Sequence, residues 1–166
     1  PTTTSDDLEY TGQIRVIVER PGVGVIHDEI NHNVLTNEGK EWVETLLSVD
    51  SSGKGQMTYI GLSNNATHNP VATDNATYWK NVITETTGNG LDRTTGTVAN
   101  PNAGVSGNWS VTNTFSVTGS VSGIEIAGLF NDTYANVGEM LATANFTSVN
   151  VENGDTLTLV WNVSVA

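Results

Sequence analysis

Three histidines and a few adjacent carboxylates are the residues of this sequence whose types could support metal binding or general acid–base chemistry. His27 and His32 flank the acidic pair Asp28 and Glu29, whereas His68 stands alone in a later polar segment. Side chains alternate faces along a strand, so His27 and His32 would point to opposite faces and His27 would lie beside Glu29. Their spacing matches no recognised set of metal ligands, and we expect structural or solvated roles for them.

Adjacent carboxylates could also serve glycoside hydrolysis or calcium binding. The pairs are Asp6-Asp7 and Asp28-Glu29, and strand neighbours face opposite ways, so neither pair would present two carboxylates to one substrate. Carboxylates on loops suit calcium, but no Asp-X-Asp-X-Asp-Gly run is present. A Gly-X-Ser-X-Gly nucleophile motif is also missing from the sequence. We expect no catalytic residue and no bound cofactor, and bound calcium is the alternative.

Asn-X-Ser/Thr triplets are the most frequent motif of the chain, and each is a glycan acceptor motif. They begin at Asn65, Asn75, Asn108, Asn131, Asn145 and Asn162. A chain rich in Asn, Ser and Thr also yields such triplets by chance, so glycosylation and composition both remain open as explanations. Asn145 and Asn162 fall inside predicted strands and must face outward if they carry sugar.

The charge balance and the lack of cysteine exclude several functions. The chain carries 18 Asp and Glu against six Lys and Arg, a net charge of -12, and it has no cysteine. Nonspecific nucleic-acid binding requires cationic side chains that displace counterions from phosphate, so we expect no nucleic-acid partner. Thiol catalysis, disulfides and cysteine-ligated metals are excluded. The acidity favours solubility, a high-salt habitat or a calcium-binding surface.

The apolar runs and the first residues bear on localisation. No apolar run approaches the roughly 20 residues of a membrane helix, and we expect no membrane insertion. The first residues are unlike a signal peptide, and the sequence does not show whether a leader or only an initiator Met preceded Pro1.

The residue pattern predicts an all-β fold, an antiparallel β-sandwich of immunoglobulin-like or jelly-roll type, with one short helix and an extended N-terminal arm. Period-two alternation is clearest in residues 11–19 and 156–165. Further strands are predicted at residues 23–30, 57–62, 93–98, 107–117, 123–130 and 139–146, and residues 78–84 are predicted as a strand or a helical turn. The helix is predicted at about residues 37–47, capped by Thr36 or Asn37, with Trp42, Val43, Leu46 and Leu47 on one face.

The chain is expected to consist of a flexible assembly arm at residues 1–10 and a single domain at residues 11–166. The arm is polar and has too little apolar area to pack by itself, so it would become ordered on a neighbouring molecule. Its residues are Pro1, Thr2, Thr3, Thr4, Ser5, Asp6, Asp7, Leu8, Glu9 and Tyr10.

Several blocks of the sequence resemble small structural proteins encoded in the head and tail modules of tailed bacterial and archaeal viruses. The resemblance covers about residues 34–166. It rests on residues 34–42 (VLTNEGKEW), 59–63 (YIGLS), 70–74 (PVATD), 90–98 (GLDRTTGTV), 125–131 (EIAGLFN), 138–146 (GEMLATANF) and 153–161 (NGDTLTLVW). It implies a virion component that is not an enzyme, and the acidic surface rich in Asn-X-Ser/Thr points to an archaeal, salt-loving host.

Three functions are compatible with these observations. The first is a structural subunit on a virion surface, in the capsid or tail, which binds copies of itself or other virion structural proteins through the arm and exposed strand edges. The second is a secreted cell-surface filament subunit, in which the arm adds a strand to the next molecule. A signal peptide before Pro1 would favour the filament. The third is a carbohydrate-binding sandwich using Trp79 and Trp109, which are otherwise core or interface residues.

Overall fold

Alternating apolar and polar residues form most of the secondary structure in the computed structural model of the protein, which describes residues 9–48, 55–100, 107–134 and 138–165. Its strands are β1 (Tyr10–Arg20), β2 (Gly24–His32), β3 (Val34–Leu35), β4 (Tyr59–Ser63), β5 (Thr94–Thr95), β6 (Thr97–Ala99), β7 (Gly107–Ser116), β8 (Val121–Phe130), β9 (Met140–Val151) and β10 (Thr156–Val165). The helices are α1 (Asn37–Ser48) and α2 (Ala76–Tyr78), and α2 continues into a π-helical turn at Trp79–Ile83.

The strands form two five-stranded sheets in which every pair is antiparallel. The first sheet, in the order β2-β1-β10-β7-β6, packs against the second, in the order β3-β9-β8-β4-β5. Apolar side chains from both sheets fill one continuous core. The predicted antiparallel β-sandwich with a short helix is confirmed.

The central strands of the first sheet follow the predicted alternation. In β1, Ile14, Val16 and Val18 are fully buried, and in β10 the buried residues include Leu159 and Trp161. Burying a large apolar side chain contributes about 1.5–3 kcal/mol relative to leaving it in water. Contacts between the inner faces of the two sheets therefore provide most of the stability of the sandwich.

Helix α1 begins where the sequence predicts it, and Thr36 is its cap. The Thr36 side-chain oxygen accepts a hydrogen bond from the Gly39 N–H at 2.9 Å. Gly39 lies against β9, since a Cβ atom on this residue would be 2.3 Å from the Leu141 carbonyl oxygen. The predicted apolar face is wrong at its end, because Leu47 is 77% exposed. The helix packs on the core through Trp42 and Val43.

A second, smaller apolar cluster joins the second sheet to α2 and the π-helical turn. Trp79 and Ile83 from the helical segment pack with Ile126, Phe130 and Met140 from β8 and β9. The helical alternative for residues 78–84 is therefore correct. Its start is capped by Asn75, whose side-chain oxygen accepts from the Tyr78 N–H at 2.8 Å.

The predicted strand at residues 93–98 is divided between the two sheets. Thr94–Thr95 pairs with β4, whereas Thr97–Ala99 pairs with β7. Gly96 lies at the crossing, where a Cβ atom would be 2.6 Å from a Val111 methyl and 2.8 Å from the Thr112 carbonyl oxygen. A residue without a side chain allows the chain to pass this close to β7.

Candidate assembly surfaces

The outer edge of β2 is the first candidate assembly surface, called here the β2 edge. Strand β2 is nine residues long and ends its sheet, and on the side away from β1 it pairs with no strand of the described ranges. Four exposed apolar side chains lie along it and on the preceding turn: Val23, Val25, Ile26 and Ile30. A long edge strand with exposed apolar residues is a template for pairing with another chain.

The inner face of β2 is polar and closes the sandwich against β9. The Glu29 carboxylate accepts a hydrogen bond from the Thr147 N–H at 2.9 Å and also one from the Asn31 amide. His27 Nε2 lies 3.3 Å from the same carboxylate. Desolvation raises the pKa of Glu29, but the bonds from Asn31 and Thr147 outweigh it and leave this pKa below its ordinary value. The Glu29 carboxylate thus connects β2 to β9.

Two arginine–aspartate pairs fix β2 and its hairpin. On the outer face, Arg15 donates two hydrogen bonds to Asp28, at 2.8 and 2.6 Å. At the turn end of the hairpin, Arg20 contacts Asp155 at 3.0 and 2.9 Å, and Asp155 also accepts from the Glu152 N–H. Hydrogen bonds from the arginines lower the pKa of both Asp28 and Asp155. These pairs were not predicted from the sequence.

These carboxyl groups predict that acid destabilises the fold. Because Asp155, Asp28 and Glu29 have lowered pKa values in the folded chain, the unfolded chain binds protons more readily. Their stabilisation is present above the ordinary carboxyl pKa and is lost as the pH falls through the lower folded values. We expect the urea midpoint to fall between roughly pH 5 and pH 2. The Asp155→Asn variant should show a shallower fall, and an equally steep one would contradict this assignment.

The structure separates the histidines that the sequence placed close together. His27 opposes the buried Val18, whereas His32 opposes Gln13 on the outer face, so the two rings lie on opposite faces as predicted. His27 and Glu29 are neighbours, also as predicted. Within the described ranges no three His, Cys, Asp or Glu side chains are grouped to hold a metal. Asp6 and Asp7 lie outside those ranges.

His68 has a partner that sequence spacing did not reveal. Its Nε2 atom lies 2.9 Å from the Asp74 carboxylate, which also accepts from the Val71 N–H at 3.1 Å. Asp74 is almost completely buried. The pair closes the loop between β4 and α2, and the loop lacks any periodicity that would have predicted the contact.

The glycan acceptor motifs differ in how their side chains are used. Asn145 and Asn162 are exposed on β9 and β10, which satisfies the predicted requirement for outward orientation. Asn108 is half-buried and lines a polar groove on the outer face with Asn162. The amide nitrogens of the other three are already donors: Asn65 to the Val82 and Ile83 carbonyls, Asn75 to the Thr73 carbonyl and Asn131 to the Glu139 carboxylate. A glycan on any of these three would replace an amide hydrogen beside such a contact.

The N-terminal arm is the second candidate assembly surface, and most of it, residues 1–8, lies outside the described residues. Glu9 is exposed. Tyr10 is already the first residue of β1, opposite Val165 in β10, and its hydroxyl accepts from the Asn33 amide at 3.0 Å. Burial raises the pKa of Tyr10 to about 12, although the bond from Asn33 lowers it. Tyr10 therefore belongs to the sandwich.

The two tryptophans of the sugar-binding alternative differ in exposure. Trp79 is completely buried and packs edge-on against Phe130, with ring centroids 5.3 Å apart. Trp109 is half-buried and packs on the main core. Stacking on a sugar requires an accessible ring face, so Trp79 is not available for it.

Comparison of the chain with protein-family models, with curated proteins and with solved structures gave no match. Across the described part of the chain, the helices are too short and too polar to cross a membrane.

Proposed function

We propose that the chain is a non-enzymatic structural subunit of a virion, located on the capsid surface or in the tail. It would act through contacts with copies of itself and with other virion structural proteins. The resemblance of residues 34–166 to structural proteins of tailed viruses supports the viral setting. The exposed apolar β2 edge is the observation that supports a role in assembly.

The β2 edge supports a role in assembly because its apolar side chains remain in water when the chain is alone. Val23 is 70% and Ile30 is 59% exposed, and both lie on the same hairpin. Each apolar side chain left in water forgoes about 1.5–3 kcal/mol that burial would provide. Pairing with another molecule would cover these side chains and also bond the free backbone groups of the strand.

The secreted filament subunit is the rival proposal, and the start of β1 favours it. Residues 1–8 precede a strand that is central in its sheet, with Tyr10 beside Val165. Eight extended residues span at most about 26–29 Å, close to the length of a nine-residue strand. The described core is filled by its own strands, so a donated arm would add to an edge and would not fill a gap in the core.

Removing residues 1–8 tests the proposed role of the arm. We expect the truncated chain to unfold at the same urea concentration as the full chain, because every described core contact begins at Tyr10 or later. It should no longer form the large assemblies of the full chain in light scattering and negative-stain electron microscopy. A variant with residues 2–5 changed to Gly and Ser is the matched control for arm length. Unchanged assembly by the truncated chain would contradict the proposed role.

A further inference from the structure

Resting on the proposed assembly function, we propose that β2 joins two copies of the chain into one continuous sheet. The β2 strands of the two copies would run antiparallel about a two-fold axis perpendicular to the sheet. Ile30 of one copy would lie directly opposite Ile30 of the second copy. The occupant of the β2 edge is thus a second copy of this chain.

The direction of the free backbone groups fits this arrangement. The Asn33 N–H donates to the Gly12 carbonyl oxygen at 3.1 Å. The backbone groups of Asn33, just after the end of β2, therefore point toward β1. Backbone groups alternate sides along an antiparallel strand. The N–H and C=O groups of His32, Ile30 and Asp28 therefore point away from β1. These three residues offer six groups to a second strand, arranged symmetrically around Ile30.

A β-bulge limits the part of β2 that can pair regularly. Val18 opposes His27 and Glu19 opposes Val25, which leaves Ile26 as the extra residue. Bulges bend and twist a strand. The regular segment is residues 27–32, and a symmetric pair must be centred inside it.

Charge disfavours two of the available registers. Opposed residues in a continuous sheet share a face, so a two-fold axis must place one residue opposite itself. Centring on Asp28 or on Glu29 would oppose two like carboxylates, which is destabilising. Centring on Ile30 opposes no like charges.

The Ile30 register also places complementary groups opposite one another. Asp28 would face His32 of the second copy on the outer face, beside Arg15, and Glu29 would face Asn31 of the second copy on the inner face. The two Ile30 side chains, each 59% exposed in the single chain, would cover each other. Each contact occurs twice because of the symmetry.

Single-cysteine cross-linking tests the register in the full chain, which has no native cysteine. The Ile30→Cys chain should form a disulfide dimer under mild oxidation, because directly opposed residues have Cα atoms about 5.5 Å apart, within disulfide range. Neither Asp28→Cys nor His32→Cys should form a disulfide dimer alone, since like positions would be about 13 Å apart along the strands. An equal mixture of Asp28→Cys and His32→Cys chains should cross-link. Val98→Cys, on the opposite edge of the same sheet, is the exposed control and should form no disulfide dimer.

The outcomes distinguish this inference from the proposed function. The Ile30→Cys chain lacking residues 1–8 should cross-link as well as the full-length variant, because the arm takes no part in this contact. Large assemblies without cross-linking at Ile30→Cys would overturn the β2 pairing and leave the assembly function standing. Equal yields of disulfide dimer from Asp28→Cys and Ile30→Cys would overturn the register.

A charge substitution at the symmetric position gives a second measurement that needs no oxidation. The Ile30→Lys variant opposes two ammonium groups, and it should weaken self-association at least roughly tenfold in sedimentation equilibrium. Its circular dichroism and urea midpoint should stay close to those of the parent chain, since Ile30 is exposed. Self-association equal to that of the parent would contradict the proposed contact.

Discussion

The Arg93→Met variant is expected to lose about 3–5 kcal/mol of unfolding free energy. Arg93 makes a two-bond contact with Glu85, at 2.9 and 2.7 Å, and both side chains are at most 5% exposed. The guanidinium also lies 3.5 Å from the centre of the Phe130 ring and donates to the Asp132 and Tyr134 carbonyls. Removing it leaves a carboxylate buried without its partner.

A double substitution separates the free-energy cost of leaving Glu85 unpaired from the stabilisation that the Arg93–Glu85 ion pair provides. Replacing Arg93 by Met and Glu85 by Leu together removes both charges, and exchange of a buried pair for apolar residues is often neutral or stabilising. We expect the double variant to regain most of the loss in urea unfolding. A double variant as unstable as Arg93→Met would show that the other contacts of the guanidinium, with Phe130 and the loop carbonyls, carry the stability.

The Glu38→Ala variant is expected to lose about 3 kcal/mol of unfolding free energy, the second large effect. Hydrogen bonds to a charged group contribute about 1.5–3 kcal/mol each. One carboxylate oxygen of Glu38 accepts from the Ala76 N–H at 3.0 Å and from the Met140 N–H at 2.7 Å. It thereby ties α1 to α2 and to β9. Alanine leaves both N–H groups without this acceptor.

Two matched variants test whether the Glu38 effect comes from its two hydrogen bonds. Glu41→Ala removes an exposed carboxylate from the same helix and should change the unfolding free energy by less than about 0.5 kcal/mol. Glu38→Gln keeps an oxygen acceptor but removes the charge, so its loss should fall between those of the other two variants. Equal small losses for Glu38→Ala and Glu41→Ala in urea unfolding would show that the two bonds contribute little.

The sequence predicted the elements whose pattern repeats locally. Alternation located β1 and β10, and a polar residue before an apolar face located the start of α1. Such patterns depend only on which face meets the core. In β2 the alternation is reversed, because Glu29 faces inward and Ile30 outward. Its polar inner face is explained by the contact with Thr147, 118 residues away in sequence.

The contacts that fix the candidate surfaces depend on spatial coincidence and could not be read from spacing. Arg20 meets Asp155 across 135 residues, and Glu38 meets Met140 across 102. For Glu38 the sequence predicted only a place in the first turn of the helix. The sequence predicted that the polar arm and exposed strand edges serve as assembly surfaces. Identifying β2 as such an edge required the order of the strands in the sheet.

The most direct test of the central claim is electron microscopy of native material combined with mass spectrometry of the particles. The proposed function predicts that peptides of this chain are recovered from purified virions with heads or tails, in amounts comparable to other structural proteins. Long uniform fibres composed of this chain would support the filament proposal and contradict the virion proposal. A chain found in neither particle and monomeric at high concentration would contradict a structural role altogether.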